Sequence, residues 1–123
     1  MRPLEYAIVF VSDMKRSIAF YRHIFGLTLK FESPEWSEFV SPAGQTTIAL
    51  HRGEKPAHPA SGWEAGRCQL GFHAENMAAF HQMATAAGIV CLTQPRAESF
   101  GQLAVYADPD GLGITVIQPL GKP

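Results

Sequence analysis

Two histidines hold most of the reactive potential in this sequence. His51 and His73 close the runs TTIALH and RCQLGFH, so each stands at the end of a short, mostly apolar segment. An imidazole there can ligate a transition metal, or act as a general base that takes a proton from a carbon next to a carbonyl. The plainer role for a strand-end histidine is a solvent-facing rim. His23, His58 and His81 fall on helix surfaces or in a connector and are assigned no role. Glu38 is the one carboxylate whose strand parity can turn it inward, and no second acid pairs with it, which argues against a paired-carboxylate mechanism. Asp108 and Asp110 belong to a D-P-D-G turn, where Asp is favoured for backbone reasons. No Gly-rich phosphate loop follows a strand, and no Gly-x-Ser-x-Gly elbow is present. Cys68 and Cys91 share no C-x-x-C spacing and read as two reduced core thiols.

These residues need a scaffold, and Val11 to Leu27 (VSDMKRSIAFYRHIFGL) supplies its first half. Asp13 can accept a hydrogen bond from the first free N–H groups of a helix, and Gly26 can adopt the left-handed conformation that ends one. Between them Met14, Ile18, Tyr21 and Phe25 form a stripe on one helical face, which requires a sheet to cover it. The device recurs later in the chain. Asn76 opens a helix over Met77 to Ala87, Gly88 closes it, and Met77, Phe80, Ala84 and Ala87 make its stripe. Tyr6–Val11 (YAIVFV) corresponds to Gln69–Ala74 (QLGFHA), 63 residues apart, which is about half the 123-residue chain and is the mark of an internal duplication.

Strands are expected at Glu5–Val11, Leu27–Glu32, Trp36–Ser41 and Thr46–His51, with a turn at Pro42-Ala43-Gly44. The second half repeats the order with Arg67–His73, Ile89–Leu92, Gln102–Tyr106 and Gly113–Ile117. Thr93 to Gly101 is expected to be a polar loop around Pro95. Arg52 to Gly66 has no periodicity and reads as a connector in which Trp63 or His58 could close over a ligand, or which is simply an exposed linker. Alternation leaves Ala7/Val9/Val11, Ile48/Leu50, Cys68/Leu70/Phe72 and Ile114/Val116 on uniformly apolar faces suited to the helix stripes.

The chain is 46% apolar and 17% charged with a net charge of −1, so it lacks the basic surface that nucleic acid binding needs. No apolar run approaches the roughly 20 residues that span a bilayer, and Met1 to Glu5 is too short and polar for a signal sequence. A single cytoplasmic domain is expected, with no membrane and no nucleic acid partner.

A strand–helix–strand–strand–strand unit written twice, opening with V-S-D-M-K-R-S-I-A-F-Y-R-H-I-F-G-L and ending with D-P-D-G-x-x-I-x-V-I, resembles the vicinal oxygen chelate superfamily: glyoxalase I, bleomycin resistance proteins, extradiol dioxygenases, fosfomycin resistance proteins and methylmalonyl-CoA epimerase. The resemblance covers Leu4 to Gln118. It implies an α+β fold in which two βαβββ repeats (about 4–51 and 67–118, joined by 52–66) form a curved mixed sheet around a central cup, with helices outside and often a homodimer. The superfamily's metalloenzymes hold a metal on four positions that fall here on Tyr6, Ala49, Gln69 and Thr115. Ala49 offers no donor, Gln69 and Thr115 only neutral oxygens, and Tyr6 a phenol with a reference pKa of about 10. No metal and no other cofactor is therefore expected.

By strand parity with those positions, Tyr6, Ile8 and Phe10, then Thr47, Ala49 and His51, then Gln69, Gly71 and His73, then Gly113, Thr115 and Ile117 face the cup, with Trp36 as a further wall. Aromatic walls, small residues that leave room and a few amide, hydroxyl and imidazole groups suit a small-molecule pocket. The expected function is a glyoxalase/bleomycin-resistance-like protein that binds a small organic molecule without a catalytic metal. Its expected contacts are Tyr6, Phe10, Trp36, His51, Gln69, His73 and Thr115. The alternative is a divergent metal-dependent lyase, isomerase or dioxygenase with relocated ligands that include His51 and His73. A third is a structural dimer whose cup is filled.

Overall fold

A computed structural model describes residues 4–40, 47–53 and 69–121. The Pro42-Ala43-Gly44 turn, Cys68, and Trp63 and His58 of the connector lie outside them. The chain divides into two compact units, Met1–Pro56 and Ala57–Pro123. Each has the βαβββ order that the duplication implies, so the α+β fold is confirmed.

In the first unit β1 (Tyr6–Val11) leads into α1 (Met14–His23), followed by β2 (Thr28–Phe31), β3 (Trp36–Val40) and β4 (Thr47–Arg52). Asp13 caps the helix, its carboxylate accepting from Arg16 N–H at 3.1 Å. After the last turn Gly26 takes a φ of +69°, which lets the Leu27 N–H reach back to the Tyr21 carbonyl at 3.2 Å. The stripe is buried as its spacing requires at Met14, Ile18 and Tyr21, with Phe20 and Ser17 beside them and Phe25 only half-buried. It packs on the apolar face of a sheet ordered β1-β4-β3-β2, where Val9, Val11, Phe39, Ile48 and Leu50 are enclosed. Each such large side chain removed from water contributes about 1.5–3 kcal/mol.

The second unit repeats this with β5 (Leu70–His73), α2 (Met77–Ala86), β6 (Cys91–Glu98), β7 (Gly101–Ala107) and β8 (Gly113–Pro119), in the sheet order β5-β8-β7-β6. Asn76 caps α2 through Ala79 N–H at 3.0 Å, and the Gln118 side chain accepts from Met77 N–H at 2.6 Å. The helix side of the sheet buries Ala104, Tyr106, Ile114 and Val116.

The strands thus form two four-stranded sheets, one per unit, because the first and last strands of each repeat pair with each other in parallel. One expectation fails: Thr93 to Glu98 is strand, not loop. β6 lies at the edge of its sheet, so Pro95 needs no outward N–H partner, and the register shifts between Thr93 and Arg96 to accommodate it.

Candidate functional site

Each sheet has a face turned away from its helix, and alternation puts the residues selected from the sequence there. In the first unit Tyr6, Ile8 and Phe10 on β1 are exposed at 38%, 45% and 64%, a run of apolar surface left uncovered on a strand whose other face is core. β4 pairs with it in register, Ile8 beside Ala49 and Phe10 beside His51. β3 then pairs with β4, Glu38 beside Ala49 and Trp36 beside His51.

The rings on this face form a continuous row. Phe10 and His51 are edge to face with centroids 5.6 Å apart, His51 and Trp36 are 5.8 Å apart, and Trp36 meets Tyr6 edge to face at 5.4 Å. Trp36 is level with His51, whereas Tyr6 is level with Thr47, four residues away and so about 13 Å along the strand. The two rings therefore lean toward each other over the rung of Ile8 and Ala49. This accounts for Ala49, which is fully buried although it points away from the helix.

Glu38 belongs to this row. Its Oε2 accepts from the Trp36 indole N–H at 2.9 Å, and its Oε1 lies 4.0 Å from the Lys30 ammonium. Sequence reasoning turned Glu38 inward but left it outside the set of contact residues. The signal was its spacing: a carboxylate two residues from an aromatic on one strand shares its face and can reach the ring's polar edge. Phe31, paired with Glu38 and 51% exposed, extends the apolar surface and was not anticipated.

On the open face of the second unit Thr115 donates its hydroxyl proton to Gln69 Oε1 at 2.9 Å. The Gln69 amide lies over Gly113, where a Cβ would stand 3.1 Å from Nε2. Gly71 has open space above it. His73, level with Ile117, is exposed. The structure thus joins Tyr6, Trp36, His51 and Phe10 in one group and Gln69 with Thr115 in another. His51 and His73 belong to different units.

Neither unit's superfamily positions fit a divalent transition metal. Ala49 is an enclosed methyl with no donor atom, Tyr6 offers only a phenol, and Gln69 already spends a lone pair of Oε1 on the neutral Thr115 hydroxyl. Among the described residues no three His, Cys, Asp or Glu side chains converge.

Two other features have structural explanations. A cleft of about 470 Å³ beside the N-terminus of α1 is lined by Asp13, Lys15, Glu32 and Arg52 among others. Two of its charges are engaged locally, Asp13 as helix cap and Arg52 with Glu35 at 3.8 Å. On the helix side of the second sheet the buried Tyr106 hydroxyl meets His81 Nδ1 at 2.9 Å. Burial, and to a lesser extent the neighbouring Cys91, pushes the Tyr106 phenol up to about 12. Burial also raises the Cys91 thiol, against a smaller opposing effect of a backbone hydrogen bond at Thr93, which makes it a poor nucleophile.

Residues 4–116 match the family model of the Glyoxalase/Bleomycin resistance protein/Dioxygenase superfamily. No curated protein matches the chain. Among solved structures it is similar to protein ATC0852 from Agrobacterium tumefaciens, with 27% identity and a TM-score of 0.78 over 98% of this chain and 100% of that one. It is also similar to TnmS3, an antibiotic binding protein from Streptomyces sp. CB03234, at 21% identity and a TM-score of 0.73, covering 98% and 99% of the two chains. The fosfomycin resistance protein FosX from Mesorhizobium loti shares 16% identity and a TM-score of 0.76, covering 98% and 94%.

Proposed function

From its membership of the glyoxalase/bleomycin resistance protein/dioxygenase superfamily, to which this chain belongs, we propose that the protein binds a small organic molecule without a catalytic metal. The observation that carries this reading is the row Tyr6–Trp36–His51–Phe10, four rings in mutual contact on a sheet face that its own helix does not cover. Rings held by one another lose little side-chain entropy when a ligand arrives, and each offers large apolar area with a polar edge. Gln69, His73 and Thr115 supply amide, imidazole and hydroxyl groups on the open face of the second unit. TnmS3, with the same fold, is an antibiotic binding protein, and sequestration of such a compound is consistent with a donor set that suits no transition metal.

A homodimer in the cytoplasm completes the reading. Among the described residues no helix is long and apolar enough to cross a membrane, and light scattering of the purified protein tests the dimer.

The binding reading is tested by thermal shift against a library of planar and amphipathic organic compounds in chelator. A ligand that binds the folded state at 100 times its Kd stabilises by about 2.7 kcal/mol. Stabilisation of the wild type that is absent in Trp36→Ala supports the reading. Stabilisation that appears only when Fe, Mn, Ni, Co or Zn salts are restored contradicts it.

A further inference from the structure

The ring row ends on a charge. Glu38 is the one carboxylate among Tyr6, Trp36, His51 and Phe10, and its side chain is only 24% exposed. It faces the same side of the sheet as Ala49 and is level with it. One carboxylate oxygen is fixed by the Trp36 N–H, which holds the headgroup and the indole in a set relation. The other oxygen accepts no hydrogen bond among the described residues. Its nearest cation, Lys30, stands at 4.0 Å on a side chain that is 59% exposed, so that pair is weak and screened.

Resting on the binding reading above, we propose that the open face of the first unit selects a planar aromatic cation, with Trp36 and Tyr6 against its ring system and Glu38 as its counter-charge. Two physical terms favour a positive ligand over its neutral isostere. The π-faces of Trp and Tyr attract a cation within about 6 Å of their centroids, and more strongly once water is displaced. A fixed, half-buried carboxylate attracts it across a lower effective dielectric than bulk water. Lys30 opposes these terms weakly, because a cation must displace or share Oε1 with it, whereas a neutral ring leaves that contact as it is. An anion meets both terms with the opposite sign. Glu38 is the main specificity-determining residue, and the rings supply affinity together with a smaller preference for positive charge.

Three probes of nearly equal shape test the proposal at pH 7.5: 1-methylquinolinium, neutral quinoline and 2-naphthoate. Binding is followed by quenching of Trp36 emission in a Trp63→Phe background. The expected result is that 1-methylquinolinium binds at least tenfold tighter than quinoline, with 2-naphthoate weakest. Glu38→Gln, which keeps an oxygen acceptor for the indole N–H, should cut the cation-to-neutral ratio to about fivefold or less, the share that the π-faces alone supply, and leave the quinoline affinity in place. Lys30→Gln should tighten the cation about twofold or more with no effect on quinoline. Quinoline binding as tightly as the cation, or a preference that survives undiminished in Glu38→Gln, overturns the proposal and leaves the binding reading standing. Failure of all three probes also overturns it, and the compound library in chelator then decides the binding reading by itself.

Discussion

The Trp36 indole N–H donates to Glu38 Oε2 at 2.9 Å, two residues further along the same strand. Residues at i and i+2 share one face of a strand, so this bond costs little to organise, and it fixes the indole where it can touch both His51 and Tyr6. Glu38→Ala should therefore cost about 1–2 kcal/mol in urea unfolding. In the Trp63→Phe background it should also red-shift Trp36 emission. An unchanged spectrum would show that the ring is held by its neighbours alone.

Ala49 is fully buried on the rung that Tyr6 and Trp36 flank. Ala49→Leu should destabilise the protein by about 1–3 kcal/mol through overpacking. It should also lower affinity for any ligand of the ring face. Chemical denaturation and ligand titration of the same variant check both expectations.

Ser17 is fully buried on the sheet-facing side of α1, and its hydroxyl has no hydrogen-bond partner among the described residues. A buried hydroxyl without a partner is costly, and Ala is the better helix former. Ser17→Ala should therefore raise stability by about 1 kcal/mol, read as a higher urea midpoint at constant slope. A loss of stability would reveal a partner for the hydroxyl.

Tyr106 sets an alkaline limit. Burial raises its phenol to about 12 in the folded state, above the reference of about 10 in the unfolded chain. The unfolded chain releases this proton first, so the contribution is fully present below about pH 10 and is lost as pH rises from there to about 12. Tyr106→Phe should flatten that part of the stability profile. At neutral pH it should cost about 1–3 kcal/mol, because His81 Nδ1 loses its partner.

The parts of the fold set by local period and caps were readable in the sequence. Asp13, Asn76, Gly26 and Gly88 mark both helices, and the stripe through Met14, Ile18 and Tyr21 is the buried face. β6 was legible only to Leu92, since Pro95 and polar neighbours are loop signals unless the strand is known to lie at an edge. Parity put Tyr6, Phe10, Trp36 and His51 on one face, but not the lean of Trp36 toward Tyr6, which depends on side-chain rotation that sequence spacing does not encode. The Thr115–Gln69 bond had the same status: an amide bonded to a neighbouring strand was foreseeable, its partner was not. Glu38 was visible as an inward carboxylate, and its importance emerged only when its oxygens were located between Trp36 and Lys30.

Metal-independent binding on the ring face is tested by tryptophan quenching with an organic ligand in EDTA-treated protein. Saturable quenching of Trp36 emission is expected in the Trp63→Phe protein, with the same affinity before and after metal removal. Loss of binding is expected in the Tyr6→Ala variant. Quenching that vanishes with EDTA and returns with one equivalent of a divalent transition metal would contradict metal-independent binding.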